Sequence, residues 1–178
     1  GVQSNGGRMT VNGRMLGQLG VAQGLEGFPS NILPHPVAPV VYVTSTSHDD
    51  RLLMVLDKDS LEPLQTLMPE DVYAGLALDV ANQKLYVSGG ESSVILIYDI
   101  NVDGLLELNS TLTAAGHVAY LSLDTTNNTL WFSQWDDSVV HRIDIESNTI
   151  NPTIDLPSPG WQFTMTDRRL WVSMLAHP

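Results

Sequence analysis

The sequence predicts an all-β chain: a β-propeller with four-stranded antiparallel blades, of which about three and a half are present. A block returning about every 45 residues carries this reading. It reads YAGLALDVANQKLYVSGG (Tyr73 to Gly90), AYLSLDTTNNTLWFSQW (Ala119 to Trp135) and WQFTMTDRRLWVSML (Trp161 to Leu175), with a degenerate first copy from Phe28 to Ser47. A period of this length built from short β segments is that of a propeller blade. Three landmarks keep step. Asp79, Asp124 and Asp167 end the first segment, Tyr42, Tyr86, Trp131 and Trp171 sit within the second, and Asp57, Asp99 and Asp144 follow the third. A one-residue slip would turn core side chains to the wrong face, so such spacing is physically constrained. Helical periodicity is absent, and Gly, Asn and Asp punctuate too often for helices.

The elements follow in order. Residues 1–27 form an N-terminal segment with six glycines in the first twenty positions. Within it, Met9 to Leu19 reads as a short hairpin turning at Asn12-Gly13. Blades then occupy about 28–72, 73–117, 118–160 and an incomplete 161–178. Each runs from an inner strand A to an outer strand D. The first has Asn31–Leu33, Val40–Thr44, Leu52–Asp57 and Pro63–Met68, with Pro63 at an outer edge where a missing donor costs little. The second has Gly75–Leu78, Lys84–Ser88, Val94–Ile100 and Leu106–Thr113; its third strand is apolar enough to be buried on both faces. The third has Leu121–Leu123, Thr129–Ser133, Val139–Ile145 and Thr149–Leu156. The fourth stops after its second strand. An open arc of blades leaves exposed faces and edges, so the expectation is a fragment or half of an assembly closed by another chain.

Composition bounds the function. The hydrophobic fraction of 43% suits a packed core, and 16% charged residues argue against disorder. A net charge of −12 and a pI of about 4.4 repel nucleic-acid phosphates and anionic membranes, and suit a salty or extracellular setting. There are no cysteines, which excludes disulfides, thiolate catalysis and cysteine-held metal centres. No run reaches the ~18 apolar residues of a membrane helix.

The repeated aspartates read as turn acceptors, Asp99 with the others, and Tyr86, Trp131 and Trp171 as inter-blade packing. A feature present in every blade argues for architecture, whereas a catalytic site is unique. His35, His48, His117, His141 and His177 show no ligand spacing, so no metal or cofactor is implied. No nucleophile elbow, HExxH, phosphate loop or EF-hand occurs, and no catalytic residue is assigned. Asn109-Ser110-Thr111 and Asn127-Asn128-Thr129 fit the N-glycosylation pattern.

Gly75 to Ile100, GLALDVANQKLYVSGGESSVILIYDI, and the tetrapeptide Val41-Tyr42-Val43-Thr44 resemble the YVTN-type repeats of lactonase-like seven-bladed propellers. The resemblance covers residues 8–175 and implies that roughly half the ring lies outside this sequence. It also implies that the N-terminal segment supplies a ring-closing strand. In propellers of this kind the loops before strand A and between strands B and C share one face. Here that face places Tyr73, His117, Trp161 and Gln162 near the axis. Further out it places His48, Asp49, Asp50, Glu91, Trp135, Asp136 and Asp137. An acidic face rimmed by aromatics suits a cation, a sugar or a basic partner.

Three functions are open. The favoured one is a non-catalytic, secreted or cell-surface binding and assembly module, extracellular or periplasmic, whose partner is another protein or the rest of its own ring. The resemblance implies a second, a hydrolase of sugar lactones with Tyr73, His117 and Gln162 as its polar funnel residues. The third is a propeller subunit supporting a periplasmic or extracellular redox complex, with any haem or copper held by the partner.

Overall fold

Short β-branched and aromatic runs between turn formers give sixteen strands in the computed structural model, which describes residues 8–9, 15–16, 24–25, 27–47, 51–114, 116–166 and 169–174. Strands β1 (Arg8–Met9) and β2 (Met15–Leu16) pair antiparallel as a sheet of their own. Their turn, most of the expected ring-closing segment, the His48-Asp49-Asp50 loop, Asp167 and His177 lie outside the described residues.

The first blade orders β3 (Pro29–Pro34), β4 (Val40–Thr46), β5 (Arg51–Asp57) and β6 (Pro63–Leu67) side by side. The second comprises β7 (Leu76–Asp79), β8 (Lys84–Ser88), β9 (Val94–Ile100) and β10 (Leu106–Thr113). The third comprises β11 (Val118–Asp124), β12 (Thr129–Gln134), β13 (Val139–Asp144) and β14 (Thr149–Asp155). Then β15 (Gly160–Thr166) and β16 (Arg169–Met174) form a two-stranded fourth sheet. The all-β propeller expectation holds, and the described residues contain no helix.

Alternation along the central strands β4, β5, β8 and β9 buries both of their faces, whereas the outer strands β6 and β10 are largely exposed. In β9, Leu96, Tyr98 and Ile100 pack towards the first blade with Val40, Tyr42, Leu53 and Val55. The intervening Ile95 and Ile97 pack with Tyr86 towards Leu121, Leu130, Phe132 and Ile143 of the third. A third cluster, Val41, Val43, Leu52, Met54 and Leu56 with Leu25 against it, lies on the other face of the first blade.

Polar ties reinforce the stacking. Each inner strand opens with an irregularity in its register, at Ser30, Ala119 and Trp161 in the first, third and fourth sheets. In the second sheet, Tyr73 N–H donates to the Ser88 carbonyl and Ser88 N–H to the Gly75 carbonyl, skipping Ala74. Such a bulge turns a backbone group out of its own sheet. The Ala74 carbonyl accepts from Asn31 Nδ2 of the first blade, and the Ala119 carbonyl from Ser88 Oγ of the second at 3.0 Å. Further out, the Gln65 amide accepts from Leu106 N–H and donates to the Leu106 carbonyl, at 2.8 and 2.9 Å.

The turn aspartates act as acceptors. Asp79 Oδ1 takes Asn82 N–H at 3.1 Å, and Asp124 Oδ1 takes Thr126 and Asn127 N–H at 3.0 and 3.2 Å. In the first blade His35 holds the equivalent place, its Nδ1 accepting from Val37 and Ala38 N–H at 3.1 and 2.7 Å. After strand C, Asp57 and Asp144 accept from the Ser60 and Ser147 amides at 2.7 and 2.8 Å. Asp99 corrects the expectation. Its carboxylate takes Lys84 Nζ at 2.6 Å and Asn109 Nδ2 at 2.7 Å, and Asn101 caps the turn. The reason is length: β9 runs one residue beyond its aspartate, whereas β5 and β13 end on theirs.

The aromatic row also needs correction. Tyr42, Tyr86, Trp131 and Trp171 share one face, each looking towards the next blade. Tyr42 and Tyr86 are 0% and 1% exposed, Trp131 is half-buried, and Trp171 is 56% exposed. Burial declines as cover declines: two four-stranded sheets, then the two strands β15–β16, then no sheet among the described residues. Trp131 pairs with Ser122 and Arg142 as Tyr86 pairs with Ala77 and Ile97, so the repeat register stands.

Phe132→Ala, at a fully buried position, is expected to cost about 3–5 kcal/mol in urea denaturation. Trp171→Ala is expected to stay under ~1 kcal/mol. Burial pushes the Tyr42 and Tyr86 phenols up to about 12, with Asp79 adding to the shift at Tyr86. Raised phenol pKa values leave stability intact below the unfolded value near 10, and it is lost as pH rises through about 12. The urea midpoint is therefore expected to fall across that interval, less steeply in Tyr86→Phe.

Candidate functional site

The ends of strands β4, β8 and β12 meet the starts of β7 and β11 at one end of the stacked sheets. There they enclose a cavity of about 270 Å³ lined by Thr46, Ser47, Arg51, Asp71, Val72, Tyr73, Gly90, Glu91, His117, Val118, Ala119 and Trp135. Thr46, Gly90 and Trp135 hold equivalent places in their blades, each four residues past the strand-B aromatic. Stacking three blades in register therefore builds the mouth. Glycine is favoured at the second place. Gly90 has φ +48°, and a Cβ there would lie 3.2 Å from the Tyr73 Cβ.

Two aromatic rings form one wall. Tyr73 and Trp135 have centroids 5.9 Å apart, tilted by 58°. Trp135 Nε1 donates to His117 Nδ1 at 2.8 Å. His117 N–H donates to Asp136 Oδ1 at 3.3 Å, and Asp136 Oδ2 lies 3.6 Å from Nδ1.

The opposite wall is charged. Asp71, only 5% exposed, pairs with Arg51 Nη1 and accepts Ser92 N–H at 2.7 Å. Arg51 Nη2 lies 3.6 Å from Glu91, whose side chain is 66% exposed. The guanidinium is thus held by one buried carboxylate and faces a second, leaving this wall one negative charge in excess. Burial, with Glu91 adding to it, pushes the Tyr73 phenol up.

Of the residues singled out from sequence, Tyr73, Glu91, His117 and Trp135 line this cavity, and Asp136 reaches it through His117. Trp161 packs on Tyr120, with centroids 5.5 Å apart. Asp137 Oδ2 stands 3.6 Å from His141 Nε2, whose ring stacks on Phe132. Gln162 is not brought to the cavity. It lies with Phe163, Thr164, Trp171, Val172 and Ser173 along a separate hollow of about 430 Å³ on the fourth sheet. Among the described residues no three His, Asp or Glu side chains converge as a metal site.

Arg51 and Asp71 were missed. Their signal is uniqueness: strand pairing sets Arg51 against Ser93 and Ser138 of the other blades, and Asp71 falls where Gly116 stands in the next.

No family model matches the sequence, and no curated protein matches it. Solved structures do. A chain of the Mitotic Checkpoint Complex matches with a TM-score of 0.68 at 15% identity, over 93% of this chain and 50% of that one. The Cps50 (Swd1) β-propeller domain of Myceliophteria thermophila matches with a TM-score of 0.66 at 12% identity, over 83% and 50%. A Bacteroides thetaiotaomicron protein of unknown function matches with a TM-score of 0.66 at 16% identity, over 83% and 39%. The fold is that of a β-propeller. The chain spans half or less of the length of these structures.

Asp71→Ala strands the Ser92 amide and frees a partly buried guanidinium. It is expected to cost about 2–3 kcal/mol in urea denaturation, and Glu91→Ala under ~0.5 kcal/mol.

Proposed function

We propose that the chain is a protein-binding propeller module and that its contact surface is the cavity face of the first three blades. The observation that carries this reading is the composition of that mouth. Tyr73, Trp135 and Arg51, the residue types that dominate binding hot spots, line one recess together. Its volume, small for a metabolite pocket, suits one anchoring side chain of a partner. Similarity to propellers such as the RRP9 WD40 repeats, with a TM-score of 0.64 at 15% identity, supports the reading by analogy of fold. The YVTN-type pattern of Gly75 to Ile100 supports placing the chain beside the lactonase-like propellers. Its acidity suits an extracellular or periplasmic setting.

The test is site-specific photo-crosslinking in the cells that make the protein, with a benzophenone side chain at Tyr73 or, as control, at Glu107 on outer strand β10. A discrete adduct from position 73 that disappears in Trp135→Ala is expected. Adducts from position 107 alone, or none from position 73, overturn the proposal.

A further inference from the structure

We infer that the cavity is a receptor for a lysine-type alkylammonium cation presented by the partner. This deepens the protein-binding reading and rests on it. Three features converge. First, Tyr73 and Trp135, whose rings meet at a tilt, both line the recess. Aromatic faces attract alkylated cations through their negative quadrupole, most strongly when water is excluded. Second, the Trp135 indole N–H is already committed to His117 Nδ1, so the indole is held in place against the recess.

Third, the charged wall favours a cation. Arg51 alone suggests an anion site, but its guanidinium is spent on buried Asp71 and also faces Glu91. Two carboxylates against one guanidinium leave one negative charge in excess. Glu91, 66% exposed and only 3.6 Å from Arg51 Nη2, borders the recess while Asp71 keeps Arg51 in place, and Asp136 adds negative charge at the rim beside His117. The net charge of −12 draws cations towards the chain as a whole. A guanidinium ligand would need several coplanar acceptors, whereas this recess offers two rings and one exposed carboxylate, which suits an ammonium head.

The test is a titration of the intact chain followed by NMR of the Trp135 indole N–H, assigned with Trp135→Phe. The probes are tetramethylammonium chloride, its uncharged counterpart 3,3-dimethyl-1-butanol, N-acetyl-lysine methylamide and sodium acetate. Both ammonium probes are expected to shift the signal saturably, and the alcohol to bind at least about fivefold more weakly. Glu91→Gln, at an exposed position, is expected to weaken the ammonium probes about fivefold without altering the fold. Equal response to the alcohol, a response to acetate alone, or no change in Glu91→Gln overturns the inference. Competition separates the two proposals. Loss of the Tyr73 photo-adduct in excess tetramethylammonium supports a cation anchor. An adduct that persists there and in Glu91→Gln leaves the protein-binding reading standing and removes the cation.

Discussion

Every full blade in this chain must bury two faces at once, and that requirement organises the rest. Strands β8 and β9 carry alternate side chains into two different cores, so the second blade shares its packing with both the first and the third. The hydrogen-bond ties answer to the same demand. In the second and third blades the bulge at the start of the inner strand turns a carbonyl out of its own sheet, and the preceding blade supplies the donor, Asn31 or Ser88. Apolar area gives the stacking its strength, while these few directed bonds set its register.

The candidate site is a consequence of that stacking rather than an addition to it. Thr46, Gly90 and Trp135 occupy one structural position, and the repeat places them around a common mouth. What distinguishes the mouth is where the repeat is broken: a buried aspartate where the next blade has glycine, an arginine where the others have serine, a tryptophan opposite a tyrosine. Repetition builds the walls, and departures from repetition give them chemical character.

How far the sequence discloses this depends on the range of the interaction. The bounds of β8, β9 and β10 coincide with those read from the sequence because period-two patterning and turn residues are local. Asp57, Asp79, Asp124 and Asp144 were legible as turn acceptors for the same reason. Asp99 was not, since its role depends on β9 running one residue further. Gln162 lies on a separate hollow of the fourth sheet, a placement that depends on how that sheet packs and that counting along the chain does not disclose. Arg51, which opens β5, and Asp71, twenty residues on in the connection to the second blade, meet only once the blades are folded. The buried hydroxyl row of Thr44, Ser88 and Ser133 was present in the sequence, overshadowed by the aromatics two residues earlier.

The central claim is that successive sheets stack in the repeat register, and the absence of native cysteines allows a direct test. A Cβ built on Gly160 lies 3.7 Å from that of Ser133 in the preceding blade, within the range a disulfide spans. The measurement is the yield of intrachain disulfide in the double variant Ser133→Cys, Gly160→Cys under mild oxidation, read by mass spectrometry after thiol blocking. The account predicts near-complete intrachain closure at low protein concentration. Two free thiols, or bridges formed only between chains, would contradict it.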